Sequence, residues 1–459
     1  MQTARRSIDA LTSMLSLAVA AVLLVFNVRR VLFLAVAIAD LAGKRSARVA
    51  RSSAAGAFQP EVLVLAPLRN EAASLPGLVA ALLALDYPAE RLTIGLIDDA
   101  STDSSGADMD VLAANHPRIS VLHNHASRGK ADSLNAGLAR WPGGEIVAVY
   151  DADARPAPGS LQQIIEAFAD SSVAAAGGMI RPANGLVTLT ASYAAVERLV
   201  HQQVTMRAKD RLDLAPAILG SNCAYRRSDL EAAGGFPGGA FLEDSQLTVA
   251  FARQGRRTRF LPQAVAFDQV PETLGGYWRQ HVRWGRGFVD VAAGVRAGGS
   301  ARRLKPTSDT GKPAEAGWES DGFTDEEDSF RHSRLRVANR DEWTVLRPPL
   351  VQRVELTLFS LGYLDRLALL AGVGLTAGRR VLGKHGRADD LLAGMLLINV
   401  LLPYAQIATA LAAERASLAW WTRIAALPAF FVVDAAAAFW STVLSVSRQP
   451  RTWQQTERS

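Results

Sequence analysis

Cysteine is nearly missing from this chain: one residue, Cys223, stands among 459. A single thiol excludes an internal disulfide framework and agrees with a catalytic region in a reducing, cytosolic setting. Cys223 itself is expected to pack as a small hydrophobe rather than act as a nucleophile. No internal repeat is present, and no low-complexity tract beyond an abundance of alanine. The formal charge is +6 and the isoelectric point near 9.6, yet no basic stripe interleaved with aromatics offers to track a nucleic-acid strand. The cations gather beside apolar segments instead (Arg29, Arg30, Lys44, Arg45, Arg48, Arg51). That is the positive-inside pattern of a membrane protein.

Apolar residues are what the chain has in plenty. They make up 49% of it and concentrate at both ends, while residues 58–290 have an ordinary globular composition. Residues 10–26 are an uncharged run just long enough to span a bilayer. Arg5 and Arg6 precede it and six cations follow, which places the following region in the cytoplasm. Residues 31–43 are too short to span and carry Asp40, so an interfacial helix is expected there. A secretory signal ending at Ala35-Val36-Ala37 is disfavoured, because Arg29-Arg30 separate it from the apolar run. The resulting layout is a membrane helix plus interfacial helix (1–56), a globular domain (57–296), a polar and conditionally ordered insert (297–350), apolar helices (351–447) and a polar tail (448–459). Of the C-terminal apolar segments, 391–413 and 418–446 read as spans. Segment 354–375 contains Glu355, Asp365 and Arg366, and is either a span with paired internal charge or an interfacial helix. Three or four spans follow.

Within the globular region, residues 62–65, 93–97, 119–122 and 146–150 read as buried strands. Helices are expected at 75–85, 108–114, 131–140 and 161–168. This alternation predicts an α/β fold with a parallel sheet and right-handed crossovers. Ligands of such sheets bind at the carboxyl ends of strands, where the acids of this chain cluster. The first strand runs into Pro67-Leu68-Arg69-Asn70-Glu71, the second into Asp98-Asp99-Ala100-Ser101-Thr102-Asp103, and the fourth into Asp151-Ala152-Asp153. A lone acid there is ordinarily a helix cap, the role read for Asp103. Adjacent acids repel unless a cation or a base edge satisfies them. Asp151-x-Asp153 has the spacing and the hard oxygens for Mg²⁺ or Mn²⁺ bridging a nucleotide diphosphate. His123-x-His125 is read as a coincidence in a loop.

Thirty-six residues after Glu243-Asp244 comes Gln280-His281-Val282-Arg283-Trp284. In a helix, Gln280, Arg283 and Trp284 share one face. Arg283 can fork onto phosphate oxygens and Trp284 offers a platform for a sugar ring. Glu243-Asp244 precedes a helical stretch, 246–253, and taken alone reads as a helix cap, with Asp244 free to face a cleft.

These motifs, taken in order, resemble the membrane-bound inverting glycosyltransferases of family two, which have the GT-A fold and include cellulose, chitin, hyaluronan and poly-N-acetylglucosamine synthases. The resemblance covers roughly residues 60–290. It rests on Pro67-x-x-Asn70-Glu71, Asp98-Asp99-x-Ser101-x-Asp103, Gly129-Lys130-x-x-x-Leu134-Asn135-x-Gly137, Asp151-x-Asp153, Arg226-Arg227 with Gly234-Gly235-Phe236, Glu243-Asp244 and Gln280-x-x-Arg283-Trp284. It implies that Glu71 and Asp99 hold the uracil and ribose of a UDP-sugar, with Lys130 near the donor. Asp151 and Asp153 would hold the metal and donor, and Asp244, beside Glu243, would be the general base. Leu242 stands where the family often has Thr. The few C-terminal spans and the long polar segment after Trp284 are larger departures, and they weaken export of a long polymer through the chain's own pore. The leading reading is transfer of a hexose or N-acetylhexosamine to a saccharide at the cytoplasmic face, with a separate export or co-polymerase subunit left open. Single transfer to a membrane lipid, as in ceramide glucosyltransferases, is the first rival. A non-catalytic partner that binds nucleotide sugars is the second.

Overall fold

A computed structural model of the protein describes residues 2–47, 58–296, 349–384 and 386–447. The expected insert, but for its last two residues, and the expected tail fall outside these described residues.

The chain enters through α1 (Gln2–Ala47). The globular region then builds one eight-stranded sheet from β1 (Val62–Leu68), β2 (Leu92–Asp98), β3 (Ile119–His123), β4 (Ile146–Val149), β5 (Arg155–Pro156), β6 (Val173–Pro182), β7 (Cys223–Arg226) and β8 (Arg257–Asp268). Their order is β3-β2-β1-β4-β7-β6-β8-β5. The first four are parallel, and they are the strands expected from the sequence. As strands covered on both faces by helices should be, they are continuous apolar runs. Along β1, Val62, Val64 and Ala66 enter one core and Leu63 and Leu65 the other. β7 runs antiparallel to β4 and to β6, β8 runs parallel to β6, and β5 closes the edge antiparallel to β8.

Helices α2 (Leu75–Leu83), α3 (Ser105–Asn115), α4 (Lys130–Arg140) and α5 (Ser160–Ile165) follow the first strands, within a few residues of expectation. Next, α6 (Leu189–Val200) is capped by Thr188, whose hydroxyl accepts the Ala191 amide at 3.0 Å. It runs through a π-helical stretch, His201–Met206, into α7 (Arg207–Arg211). α8 (Arg227–Ala232) and α9 (Glu243–Arg253) precede α10 (Leu274–Arg296). The C-terminal region comprises α11 (Leu350–Ser360), α12 (Leu364–Val381), α13 (Arg387–Ala413), α14 (Leu418–Arg423) and α15 (Leu427–Val446).

The apolar ends show three features that the sequence pattern does not carry. The N-terminal segment is one helix of 46 residues, about 69 Å long at 1.5 Å per residue, with no break between a spanning and an interfacial part. Arg29 and Arg30 do not interrupt it because each meets a carboxylate. Arg29 forks onto both Glu355 oxygens at 2.7 Å, and Arg30 pairs with Asp365. Asp40 likewise pairs with Arg207 (2.8 Å) and Arg211 (3.0 Å), while Phe33 and Ala37 pack on Val204, Ala208 and Leu214. Second, segment 354–375 is a pair of helices, α11 and α12, bent by 64°. Third, segment 418–446 is broken at the 3-10 turn Ile424–Ala426. Among the described residues, Ser7–Gly43, Arg387–Ala413 and Ala429–Val446 are long and apolar enough to cross a membrane. A fourth span results if the bent pair counts as one.

α10 lies hard against α15 through a glycine. A Cβ at Gly285 would stand 2.3 Å from Ser441 Oγ and 2.7 Å from its Cβ. Gly285→Ala should therefore force the helices apart at a cost of about 1–3 kcal/mol, lowering the thermal midpoint in detergent. Ser441→Gly in the same chain should recover part of the loss. A G285A midpoint equal to wild type would refute this packing.

Candidate active site

The strand order reverses between β1 and β4, and the crevice there is where an open α/β sheet binds its ligand. On the β1 side, two exit loops are stitched together. Asn70, in the left-handed region at φ 54°, accepts the Thr102 amide through Oδ1 at 2.7 Å. The Asn70 amide donates to Ser101 Oγ (3.0 Å) and the Glu71 amide to Ser105 Oγ (2.8 Å). Glu71 thereby reaches the cavity wall. Asp103 accepts the amides of Ser105 (3.0 Å) and Ala72 (3.3 Å) and so ties the two loops, while the N-cap position of α3 falls to Ser104 rather than to Asp103. Asp98 accepts the Ser101 amide (2.9 Å) and faces His123 Nδ1 at 3.1 Å. His123 thus has a structural partner, which the reading of it as a loop coincidence missed. Its pKa is raised by hydrogen bonds to Asp110 and Asp98.

Asp99 is more heavily engaged than expected. Its two oxygens accept from the Arg128 and Gly129 amides (2.7 and 3.0 Å), the Ser127 and Ser133 hydroxyls (2.7 and 2.8 Å) and Asn124 Nδ2 (3.2 Å). Burial raises its pKa, but these donors outweigh it and the net shift is down. In this structure Asp99 organises the loop that launches α4.

On the β4 side, the antiparallel turn of β7 is decisive. Val149 pairs with Cys223, so the residues before β7 arrive where β4 ends. Ser221 Oγ accepts the Asp151 amide at 3.0 Å, and Asn222 Nδ2 anchors this loop to the carbonyls of Met179 (3.1 Å) and Ala264 (2.9 Å). Gly220 sits at φ 74°, where a Cβ would lie 3.0 Å from Asp244 Oδ2 and 3.1 Å from Lys130 Nζ. Only glycine suits that backbone and that approach. Lys130, the first residue of α4, donates to the Gly220 carbonyl at 2.8 Å. Its ammonium also lies 2.7 Å from Asp151 Oδ1 and 3.5 Å from Glu243 Oε1. Burial would lower its pKa, but the carboxylates of Asp151 and Glu243 carry it upward.

Glu243 and Asp244 open α9, where the helix dipole favours negative charge. Asp244 Oδ1 accepts the Ser245 amide at 2.5 Å. Burial and the neighbouring Glu243, opposed by Lys130, push its pKa up to about 7. A carboxyl held near neutrality on a cavity wall has the strength of a general base. Cys223, behind this cluster, is buried and its thiol is pushed up to about 12 by that burial, in keeping with packing rather than nucleophilic attack.

One cavity of about 880 Å³ joins these groups. Glu71, Asp99, Lys130, Asp151, Glu243 and Asp244 line it together with Gln280, Arg283 and Trp284 from the shared face of α10. Asp153 does not line it. It is 6% exposed, and its Oδ2 accepts the Gln269 amide at 3.1 Å. Away from the strand ends the cavity passes among apolar helices, past Arg30 of α1, Arg366 of α12, Gln406 of α13 and Asp434 of α15. Gly220, Ser221, Arg366 and Asp434 were not expected from the sequence. The first two carry a turn signal in Gly-Ser-Asn; the last two have no local signal.

Hard oxygens suit Mg²⁺ or Mn²⁺, and Asp151 offers one at the cavity with 32% of its side chain accessible. A different group, Glu197, His281 and Asp434, also has ligand atoms within 4.8 Å of one another. There Arg366 Nη2 already lies 3.5 Å from Glu197 and 3.9 Å from Asp434, so the protein itself supplies a positive charge to these carboxylates.

Residues 60–287 match the family model described as glycosyltransferase like family 2. A probable glycosyltransferase, YdaM, of Bacillus subtilis is 32% identical over 232 residues, 50% of this chain and 55% of that protein. An N-acetylglucosaminyltransferase of Mesorhizobium japonicum is 29% identical over 243 residues, 50% and 55% of the two chains. The chain thus spans about half the length of the curated relatives it matches. Among solved structures, the mannosyltransferase PcManGT of Pyrobaculum calidifontis, in complex with GDP-Man and Mn²⁺, aligns with a TM-score of 0.56 at 22% identity. That alignment covers 93% of this chain and 99% of that one, a likeness of fold. Strand order, cavity and family match agree: residues 60–287 are a family 2 glycosyltransferase domain of GT-A fold, flanked on both sides by apolar helices.

Proposed function

We propose that this protein transfers a hexose or N-acetylhexosamine from a UDP-sugar to a saccharide acceptor, with inversion at the anomeric carbon. The observation that carries the reading is the Lys130–Asp151–Glu243–Asp244 cluster lining one cavity with Gln280, Arg283 and Trp284. Glu71 and the loop organised by Asp99 hold the nucleoside. Asp244 takes the acceptor hydroxyl's proton as that oxygen attacks the anomeric carbon and the bond to the diphosphate breaks. Lys130 and Arg283 carry positive charge to opposite sides of the departing diphosphate, and Trp284 orients the acceptor ring.

Asp151 is the residue that would hold a divalent cation at the cavity, which when bound would offset diphosphate charge as a Lewis acid; Asp153, buried on the Gln269 amide, fits support of that loop rather than a ligand facing the donor. On this reading, excess chelator abolishes transfer, Mn²⁺ or Mg²⁺ restores it, and Asp151→Ala is inactive. Activity of D151A in excess chelator would refute the metal role. The cation pattern beside α1 supports a cytoplasmic catalytic domain, on the side where UDP-sugars are made. A reporter fused near residue 56 should read inside, and an external signal would overturn that orientation.

Single transfer to a lipid is the second reading, favoured by the continuation of the cavity among apolar helices. A partner that only binds nucleotide sugars has no use for a carboxyl held near neutrality. Membranes containing the chain, given a panel of radiolabelled UDP-sugars, separate the readings by product. Long saccharide supports the first, a solvent-extractable glycolipid the second, and no incorporation with retained UDP-sugar binding the third.

A further inference from the structure

Between Gln280 and Arg283 lies a residue that no part of the proposed chemistry uses. His281 is 1% exposed, and both of its ring nitrogens face acceptors. Nδ1 is 3.0 Å from the Tyr277 carbonyl and Nε2 is 2.8 Å from Glu197 Oε2. A neutral imidazole has one N–H, so only the doubly protonated ring satisfies both contacts. The ring stacks on Tyr277 at 3.8 Å between centroids and presses Trp284 edge-on at 4.9 Å.

The charges around it balance. Glu197, from α6, also lies 3.3 Å from the Tyr277 hydroxyl oxygen and 3.5 Å from Arg366 of α12. Arg366 reaches Asp434 of α15 at 3.9 Å and Asp365 at 3.5 Å, and Asp365 is paired with Arg30. Asp434 accepts the hydroxyls of Tyr193 and Tyr277. Tyr363, of the α11–α12 bend, directs its hydroxyl to the His281 carbonyl. Two cations, His281 and Arg366, therefore face two carboxylates, Glu197 and Asp434. Burial would raise the Glu197 pKa, but His281 and Arg366 bring it down to about 2. Burial would lower that of His281, but Glu197 carries it upward.

The geometry points to His281 as a positioning residue: an imidazolium clamped between the Tyr277 carbonyl and Glu197 that fixes Trp284 as the acceptor platform. This rests on the transferase reading, in which Trp284 orients the acceptor. Since the folded pKa is raised above the ordinary imidazole value, the clamp is complete below that ordinary value and is lost as pH rises through the folded one. One ring nitrogen then turns a lone pair on an acceptor, Trp284 loses its fixed neighbour, and acceptor binding weakens. The Asp244 titration acts on turnover and that of His281 on acceptor KM, so the two effects are read in different constants.

The test uses the full chain in lipid nanodiscs with ¹⁵N-labelled histidine. Ring nitrogen shifts, assigned with His281→Gln, should show an imidazolium at pH 7.5; a neutral ring overturns the proposal. With chitotetraose and dioleoylglycerol as acceptor probes, His281→Ala should raise the KM of whichever is used by about ten- to a hundred-fold, leaving acceptor-free UDP release unmoved. Equal loss of both activities would make His281 merely structural and overturn it. Wild type needs no variant: its acceptor KM should climb over the pH range in which the ring loses its proton, and a flat KM overturns the proposal. No UDP release from wild type with any UDP-sugar, the imidazolium intact, would sink the transferase reading and the acceptor role with it, while the ion pair would stand.

Discussion

Asp244→Asn is expected to cut transfer by about 10²- to 10⁴-fold while UDP-sugar affinity stays near that of wild type. The donor is held elsewhere, by Glu71, the Asp99 loop, Asp151 and Arg283, so removing the base touches the acceptor's proton and little else. Asn preserves shape and the contact with the Ser245 amide, so it tests the proton rather than the packing. Calorimetric titration of UDP-sugar and turnover on the same preparation separate the two. Near-normal turnover would remove Asp244 from the mechanism.

Lys130→Met should be comparably damaging, and should leave a signature in pH. The ammonium lies 2.7 Å from Asp151 and 3.5 Å from Glu243, and it lowers the Asp244 pKa against burial and Glu243. Losing a preorganised cation at the leaving group costs about 10²- to 10³-fold in rate. The sign of the pH effect follows from the base being active when deprotonated. Wild-type activity should rise with pH through about 7. In K130M that rise should move to higher pH, and in Glu243→Gln, where a repelling charge is removed, to lower pH. Rate profiles from pH 5 to 9 check both shifts, and an unmoved acid limb in either variant would mean that another group sets it.

The half of the fold that was legible is the half built from local signals. β1 to β4 are apolar runs ended by acids, and a parallel sheet places such ends together, so Glu71, Asp99 and Asp151 could be assigned to one edge. β6 to β8 carry weaker signals. β6 is rich in Ala and Gly, β7 has four residues, and β8 contains Arg257, Arg259 and Pro262. With β7 missed, the antiparallel turn that brings Gly220 and Ser221 to Asp151 was missed too. Lys130 was placed near the donor, but not as the counter-charge of Asp151 and Glu243. The shared face of Gln280, Arg283 and Trp284 follows from helical period alone, which is why it was read correctly. The continuity of α1 was hidden because its explanation lies far along the chain: Glu355 and Asp365 neutralise Arg29 and Arg30 across 326 and 335 residues. Without those partners, two arginines in an apolar run read as its end. The clamp of Glu197, His281, Arg366 and Asp434 is of the same kind, assembled from four helices and invisible to any local pattern.

The most direct test of the central claim is the anomeric configuration of the product. The purified chain is supplied with the α-linked UDP-sugar that it turns over, and the new glycosidic bond is read by NMR from its anomeric coupling. Displacement by an acceptor hydroxyl deprotonated at Asp244 predicts a β-linkage, absent from the D244N reaction. An α-linked product, or one formed equally well by D244N, would contradict it.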